Sequence, residues 1–197
     1  MVLGIIFGGF PLLMSEEEVG YLYTGAFAGA LVGFALSGLL ADPVAKLLAR
    51  RNGGVYEPEF RLALVVPQTL LGVVGLVGFG WTTADVLRFG TRLPSFFFGL
   101  EVAGMVLGAT ASALYLVDAH RDLAIESFTC LLLFKNFFSF ALTWRAVDWV
   151  STAPGPWKLF WIVAVVQAGL GLLSVPMCGL HLPCRYLLAR VLTLGIL

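Results

Sequence analysis

The chain has 197 residues, of which 59% are hydrophobic and 12% are charged, and its formal net charge at pH 7 is zero. A soluble domain carries about 25% charged residues, so this composition excludes a water-soluble globule. A neutral chain also lacks the basic surface on which nucleic acid binds. We therefore expect an all-α membrane protein that crosses the bilayer several times.

The apolar segments have the lengths of membrane-spanning helices, which need roughly 20 mostly apolar residues. Residues 1–15 are too short for a full span and end before three glutamates, so we expect them to be the tail of a truncated helix. Residues 16–197 then form one helical unit. Its full spans are predicted at about 19–41, 62–84, 96–117, 124–149 and 158–180. Prolines are expected to mark span ends at Pro43, Pro94, Pro154 and Pro156.

The basic residues of the loops predict the orientation, because cytoplasmic loops carry an excess of lysine and arginine. One side of the predicted spans receives seven of them, namely Lys46, Arg50, Arg51, Arg61, Arg121, Arg185 and Arg190. The other side receives four, namely Arg88, Arg92, Arg145 and Lys158. The first side is therefore predicted to be cytoplasmic, and the three glutamates at 16–18 lie on the opposite side.

Small residues recur at four-residue spacing on two of the predicted spans. The first series is Gly25, Gly29, Gly33 and Ser37, and the second is Gly104, Gly108 and Ser112. Such rows let membrane helices approach closely. They indicate either plain helix packing or a smooth surface on which helices rock, and the sequence leaves both interpretations open.

A few polar side chains fall within predicted spans, where a charge at mid-bilayer costs at least about 2.5 kcal/mol. Glu101 and Lys135 lie on the two limbs of one helical hairpin, at depths within roughly 6 Å of each other. We hypothesise that they interact directly or through water; alternatively, Glu101 extends to the membrane interface. Asn136 and Gln167 either line the same path or tie helices together.

A first charged loop follows on the side predicted to be cytoplasmic. Asp42 closes a span there, and a basic cluster comes next, made of Lys46, Arg50 and Arg51. We expect Glu57, Glu59 and Arg61 to pair with this cluster.

A second charged loop lies on the same side. Asp118 or Asp122 is expected to cap the next helix, and Glu126 falls in its first turns, where a carboxylate complements the helix dipole. Opposite charges clustered at one membrane face form either a latch that breaks and re-forms or a static solvated surface.

These loops carry the residues of a known family. Gly38, Asp42, Arg50 and Arg51 resemble the second copy of its motif A, and residues 51–62 resemble its loop signature. A third signature is matched by Asp118, Arg121, Ala124, Glu126, Lys135 and Asn136. The chain thus resembles the C-terminal half of fungal major facilitator superfamily transporters, in the drug:proton-antiporter-like branch. One departure is Pro43, where the family usually has glycine.

The resemblance implies a fold and a function. The fold is the C-terminal six-helix half of a twelve-helix bundle, with residues 1–15 as the truncated end of helix 7. The implied function is secondary transport of a small organic solute by alternating access, coupled to protons, in the plasma membrane. The path residues would be Lys135, Asn136, Glu101 and Gln167. The cytoplasmic gate would comprise Gly38, Asp42, Arg50, Arg51, Glu57, Glu59, Arg61, Asp118, Arg121 and Glu126.

The partners implied are the lipid bilayer, a small-molecule substrate, protons, and either an N-terminal half or a second copy of the chain. A non-transporting membrane protein is the alternative, as an inactive remnant or as an assembly or regulatory partner. An enzyme is not expected, because no nucleophile, base and orienting group share a membrane face. No cofactor is expected either. The cysteines and histidines lack metal-ligand spacing, so we interpret Cys130, Cys178 and Cys184 as small packing residues.

Overall fold

A computed structural model describes residues 2–8, 14–152 and 157–174, and in these ranges the chain forms helices and no strand. The helices are α1 (Val2–Gly8), α2 (Glu16–Arg51), α3 (Val65–Ala84), α4 (Val86–Phe89), α5 (Arg92–Ala119), α6 (Ala124–Thr152) and α7 (Trp157–Ser174). The 3-10 segments Pro58–Leu64 and Arg121–Leu123 precede α3 and α6.

Five helices are long and apolar enough to cross a membrane, by length and composition. They are α2, α3 with its preceding 3-10 segment, α5, α6 and α7. The all-α, multi-pass prediction is therefore confirmed. The predicted spans 19–41, 62–84, 96–117 and 124–149 each fall on one of these helices, and the part of the fifth span beyond Ser174 lies outside the described residues.

Helix α2 begins with a capping box. The Ser15 hydroxyl accepts a hydrogen bond from the Glu18 backbone N–H at 3.3 Å, and the Glu18 carboxylate accepts one from the Ser15 N–H at 2.9 Å. Three glutamates in the first turn and two arginines in the last turn complement the helix dipole. The helix stops where Gly53 and Gly54 take positive φ values of 67° and 87°.

The prediction that Pro43 ends the first span is wrong, because α2 runs unbroken through this proline for 36 residues. Proline removes one backbone donor, but Ala41 and Ala45 on either side of it are buried and keep the segment packed. At 1.5 Å per residue α2 is about 54 Å long, whereas the bilayer core is about 30 Å thick. The helix therefore extends well beyond the hydrocarbon region.

Helix α5 is the centre of the bundle, and the glycine rows explain how it packs. A Cβ added at Gly25, Gly29 or Gly33 would overlap the α5 backbone or side chains at residues 95, 99 and 103. The residue numbers at these contacts increase in the same direction on α2 and on α5, so the two helices run parallel. The Ser95 hydroxyl also donates to the Leu22 carbonyl oxygen at 2.9 Å. The first small-residue series is thus a tight helix contact.

The second series packs α5 against α3 on another side. A Cβ at Gly104 would overlap the backbone of Gly72, and one at Gly108 would overlap the Gln68 side chain. Glu101 lies one turn before Gly104 on α5, and its backbone and Cβ lie against Gly75 of α3. Residue numbers rise on α5 as they fall on α3, so these helices are antiparallel.

Two apolar clusters hold opposite ends of the bundle. One joins α1, α2, α3 and α4 through Leu3, Phe7, Leu22, Phe79 and Val86. The other joins α2, the first 3-10 segment and α5 through Ala41, Leu64, Leu107 and Ala111. The charged loops therefore emerge beside the second cluster.

Helix α6 is the least packed of the long helices, with none of its most apolar window buried against the rest of the described chain. Cys130 is a free thiol exposed on this helix, so within the described residues it does not pack against a neighbouring helix as we expected. Cys178 and Cys184 lie outside the described residues. Helix α7 is held on α3, where Gly80 faces Phe160 and Gly171 faces Thr69.

Candidate functional site

The polar side chains of the spans converge on one cavity of about 730 Å³ between α3, α5, α6 and α7, here called the polar cavity. Three of the four predicted path residues line it, namely Glu101, Lys135 and Gln167. Gln68 lines it as well, although sequence reasoning missed this residue. Gln68 lies near the start of its span, where an uncharged polar residue is usually interfacial. The only feature of the sequence that could have indicated a cavity residue is the polarity of Gln68 within an apolar segment.

Two glycines hold the glutamine side chains in place. A Cβ at Gly72 on α3 would overlap the Gln167 amide nitrogen, and one at Gly108 on α5 would overlap the Gln68 amide. Each glutamine therefore lies flat on bare backbone of a neighbouring helix. This contact places both amides on the wall of the polar cavity, with donor and acceptor groups to offer.

Glu101 and Lys135, which we expected to interact, line the same cavity but form no ion pair. Both side chains line the polar cavity. Within the described ranges, the ion pairs of the protein involve other residues, and no nitrogen of Lys135 lies within 4.0 Å of a Glu101 oxygen. Direct pairing is therefore not observed, and a water-mediated interaction stays a prediction.

Asn136 is separated from the other three predicted path residues. It is exposed on α6 and does not border the polar cavity, although Lys135 beside it does. Successive helical residues point about 100° apart, so neighbours in sequence face different surroundings.

Glu101 also borders a second, apolar cavity of about 290 Å³. The lining there is aromatic and aliphatic, with Tyr23, Phe79, Phe98 and Phe160 among its residues. The Phe79 ring packs edge-on against Phe160 with centroids 4.8 Å apart. Glu101 is thus the residue that the two cavities have in common.

A second polar site, here called the Arg61 cluster, lies where the charged loops meet and consists of Asp42, Tyr56, Arg61 and Asp118. The Arg61 guanidinium donates through Nη1 to Asp42 at 2.9 Å and through Nε to Asp118 at 3.0 Å. The Arg61 side chain is 15% exposed and that of Asp118 is 20% exposed, whereas that of Asp42 is 66% exposed. One arginine thereby ties the long helix α2 to the end of α5.

Tyr56 completes the Arg61 cluster; it falls in the loop signature of residues 51–62 but was not among the predicted gate residues. Its hydroxyl donates to the Asp118 carboxylate and accepts a hydrogen bond from Arg61 Nε at 3.1 Å. Partial burial and the bond to Asp118 raise the pKa of Tyr56 above its usual 10.0, although the charge of Arg61 acts in the opposite direction. Tyr56 is therefore a neutral donor at physiological pH.

Two loop predictions are corrected by this geometry. Arg61 does not join the basic cluster of α2, because it pairs with the acidic residues Asp42 and Asp118. Of the two residues expected to cap α6, Asp118 does not do so, because its carboxylate is committed to Arg61 and Tyr56, and Asp122 lies within the 3-10 segment before the helix. The placement of Glu126 in the first turn of α6 is confirmed.

The remaining predicted gate residues are placed as follows. Gly38 is exposed on α2, and a Cβ added there would meet no atom within 4 Å in the described part of the chain. Arg50 and Arg51 occupy the last turn of α2. Glu57 precedes the first 3-10 segment and Glu59 is buried within it, while Arg121 begins the second. Within the described residues, His, Cys, Asp and Glu form no group that could hold a metal ion.

Comparison with known proteins shows that the sequence is similar to fungal transporters. The chain is 27% identical over 169 residues to Protein HOL1 of Saccharomyces cerevisiae, covering 85% of this chain and 28% of that protein. It is 29% identical over 188 residues to MFS transporter cpaT of Aspergillus oryzae, covering 88% and 36%. It is 26% identical over 151 residues to efflux pump atB of Aspergillus terreus, covering 71% and 31%.

The chain therefore spans about a third of the length of these curated relatives. No family model matches it, and no solved structure matches it significantly. Two of these three relatives are named as a transporter and an efflux pump, in agreement with the expectation that the chain is not an enzyme. The resemblance derived from the loop motifs is confirmed: the chain is a multi-pass membrane protein homologous to part of the fungal transporters of the major facilitator superfamily.

Proposed function

We propose that the chain is part of a secondary transporter that moves a small organic solute by alternating access in the plasma membrane. The observation that carries this proposal is the polar cavity, where Glu101, Lys135 and Gln167 meet although each comes from a different helix. Ionisable side chains inside membrane spans usually face a wet path, because lipid solvates them poorly.

The Arg61 cluster supplies the gate in this proposal. It connects α2, the loop before α3 and the end of α5 through one guanidinium. Such a cluster has two discrete arrangements, bonded and broken, and alternating access needs an element of this kind. In the bonded arrangement, the charged ends of these helices are held together and the cytoplasmic side of the path is closed.

Proton coupling requires a carboxylate that titrates on the path. Glu101 is the carboxylate of the polar cavity, and it also borders the aromatic cavity. We propose that Glu101 carries the coupled proton, so that its protonation state and the bound solute depend on each other.

The test is a transport measurement on the purified chain in liposomes loaded with a pH-sensitive dye. A panel of neutral, cationic, anionic and zwitterionic organic solutes is added under an imposed proton gradient. We expect at least one solute to change the proton flux, with the effect lost in Lys135→Ala and kept in Lys158→Gln. Lys158 is the matched control, because it lies in the first turn of α7 and outside the polar cavity.

A non-transporting role is the alternative that the same experiment separates. If no solute changes the proton flux and crosslinking detects no dimer, the chain does not transport by itself. Binding to another membrane protein would then be its function, and the exposed helix α6 would be the surface to examine first.

A further inference from the structure

The polar cavity is lined by one acidic and one basic side chain, which form no ion pair with each other. Glu101 and Lys135 both line it, and neither takes part in the ion pairs found within residues 2–8, 14–152 and 157–174. A membrane-embedded charge is retained when something compensates it. Two unpaired, opposite charges on one cavity are the complement of a molecule that carries both signs.

The two residues lie at similar depths on different helices. Along the hairpin of α5 and α6 they lie at depths within roughly 6 Å of each other. They come from different helices, so a ligand between them contacts α5 with one end and α6 with the other.

The rest of the cavity wall specifies what joins the two charged ends. Gln68 and Gln167 offer neutral amides, which can donate to a carboxylate or accept from an ammonium group. The lining also includes large apolar side chains, among them Met105, Phe128 and Leu132. A cavity of about 730 Å³ holds a molecule larger than a single free amino acid.

We propose that the polar cavity binds a zwitterionic solute with an apolar body. Lys135 binds its carboxylate, Glu101 binds its ammonium group, and the two glutamine amides orient it. This inference rests on the proposed transport function and adds the charge class of the substrate. A solute with one charge would leave either Glu101 or Lys135 without a counter-charge in the occupied state.

Binding of four versions of one probe to the full chain in lipid nanodiscs tests the inference by calorimetry. The probes are the dipeptide phenylalanyl-alanine, its C-terminal amide, its N-acetyl form and the doubly blocked form. We expect the free dipeptide to bind about tenfold more tightly than either singly blocked form, since each blocked end loses one charged contact.

Two conservative variants test which residue binds which end of the dipeptide. In Lys135→Gln the free dipeptide and its amide should bind equally, and in Glu101→Gln the free dipeptide and its N-acetyl form should bind equally. Lys158→Gln should keep the full discrimination. Unchanged weak binding of the doubly blocked form reports that each variant is folded.

The inference is overturned if none of the four forms binds, if they bind equally, or if both variants weaken all forms alike. Because binding is measured without a gradient, it is independent of transport. Charge-dependent binding without any proton flux would contradict the proposed function and support the zwitterion site. Proton flux driven by a solute of single charge, without discrimination among the four dipeptide forms, would support the proposed function and contradict the zwitterion site.

Discussion

The guanidinium of Arg61 lies 3.0 Å from the carboxylate of Asp118, a residue 57 positions further along the chain. This contact brings the start of α3 to the end of α5. It is the long-range ion pair on which the Arg61 cluster depends, and its loss should be measurable.

We expect Arg61→Gln to destabilise the bundle by about 1–3 kcal/mol, because the part-buried Asp118 loses a charge-assisted partner. Asp42→Asn should cost less than about 1 kcal/mol, since Asp42 is 66% exposed and solvent screens its pair. Unfolding by SDS in mixed micelles provides both values. Equal costs for the two variants would contradict the assigned roles.

Tyr56 predicts a dependence on alkaline pH. The pKa of Tyr56 is raised in the folded chain, so the neutral phenol contributes stability that is fully present below pH 10.0. That stability is lost as the pH rises through the higher folded pKa. The difference in unfolding free energy between the wild-type chain and Tyr56→Phe should therefore shrink above about pH 10. A difference that stays constant from pH 8 to pH 11 would exclude this contribution.

The contact between α2 and α5 predicts a contrast between two glycines of one helix. Gly29→Ala should destabilise by about 1–3 kcal/mol, because the added Cβ overlaps the Gly99 backbone. Gly38→Ala should be neutral or stabilising by up to about 1 kcal/mol, because open space surrounds Gly38 and alanine favours the helix. The same micelle assay compares them, and a costly Gly38→Ala would show that this residue has a partner.

Labelling distinguishes the two neighbours on α6. In a background without the native cysteines, a water-soluble thiol reagent should modify Lys135→Cys at least about tenfold faster than Asn136→Cys. Only Lys135 lines the polar cavity, so only its position is reached through water. Equal rates at the two positions, or no reaction at Lys135→Cys in any condition, would contradict an aqueous path.

The sequence was sufficient for features that depend on local pattern. Apolar length predicted the spanning helices, and four-residue spacing predicted the close contacts of Gly25, Gly29 and Gly33. The position of Glu126 at the start of α6 follows from the helix dipole alone. Each of these rests on a few neighbouring residues.

Features that depend on helix rotation or on long-range contacts were not predictable. Periodicity could not show that Lys135 faces a cavity and Asn136 does not, because α6 is apolar on all sides. The pairing of Arg61 with Asp118 needs the fold, since short-range charge rules favoured other partners. Gln68 joined the cavity only because Gly108, on another helix, leaves room for it.

Helix α2 is continuous from the part expected within the bilayer to the part that extends beyond it. Its membrane-embedded half contacts α5 through glycine, and its other half carries Asp42 and the basic turn beyond Pro43. A tilt of a few degrees within the lipid is amplified over about 54 Å into a displacement of several ångströms at the far tip. The position of Lys46 relative to the membrane surface would thus report, by a single spectroscopic label, the angle between α2 and α5.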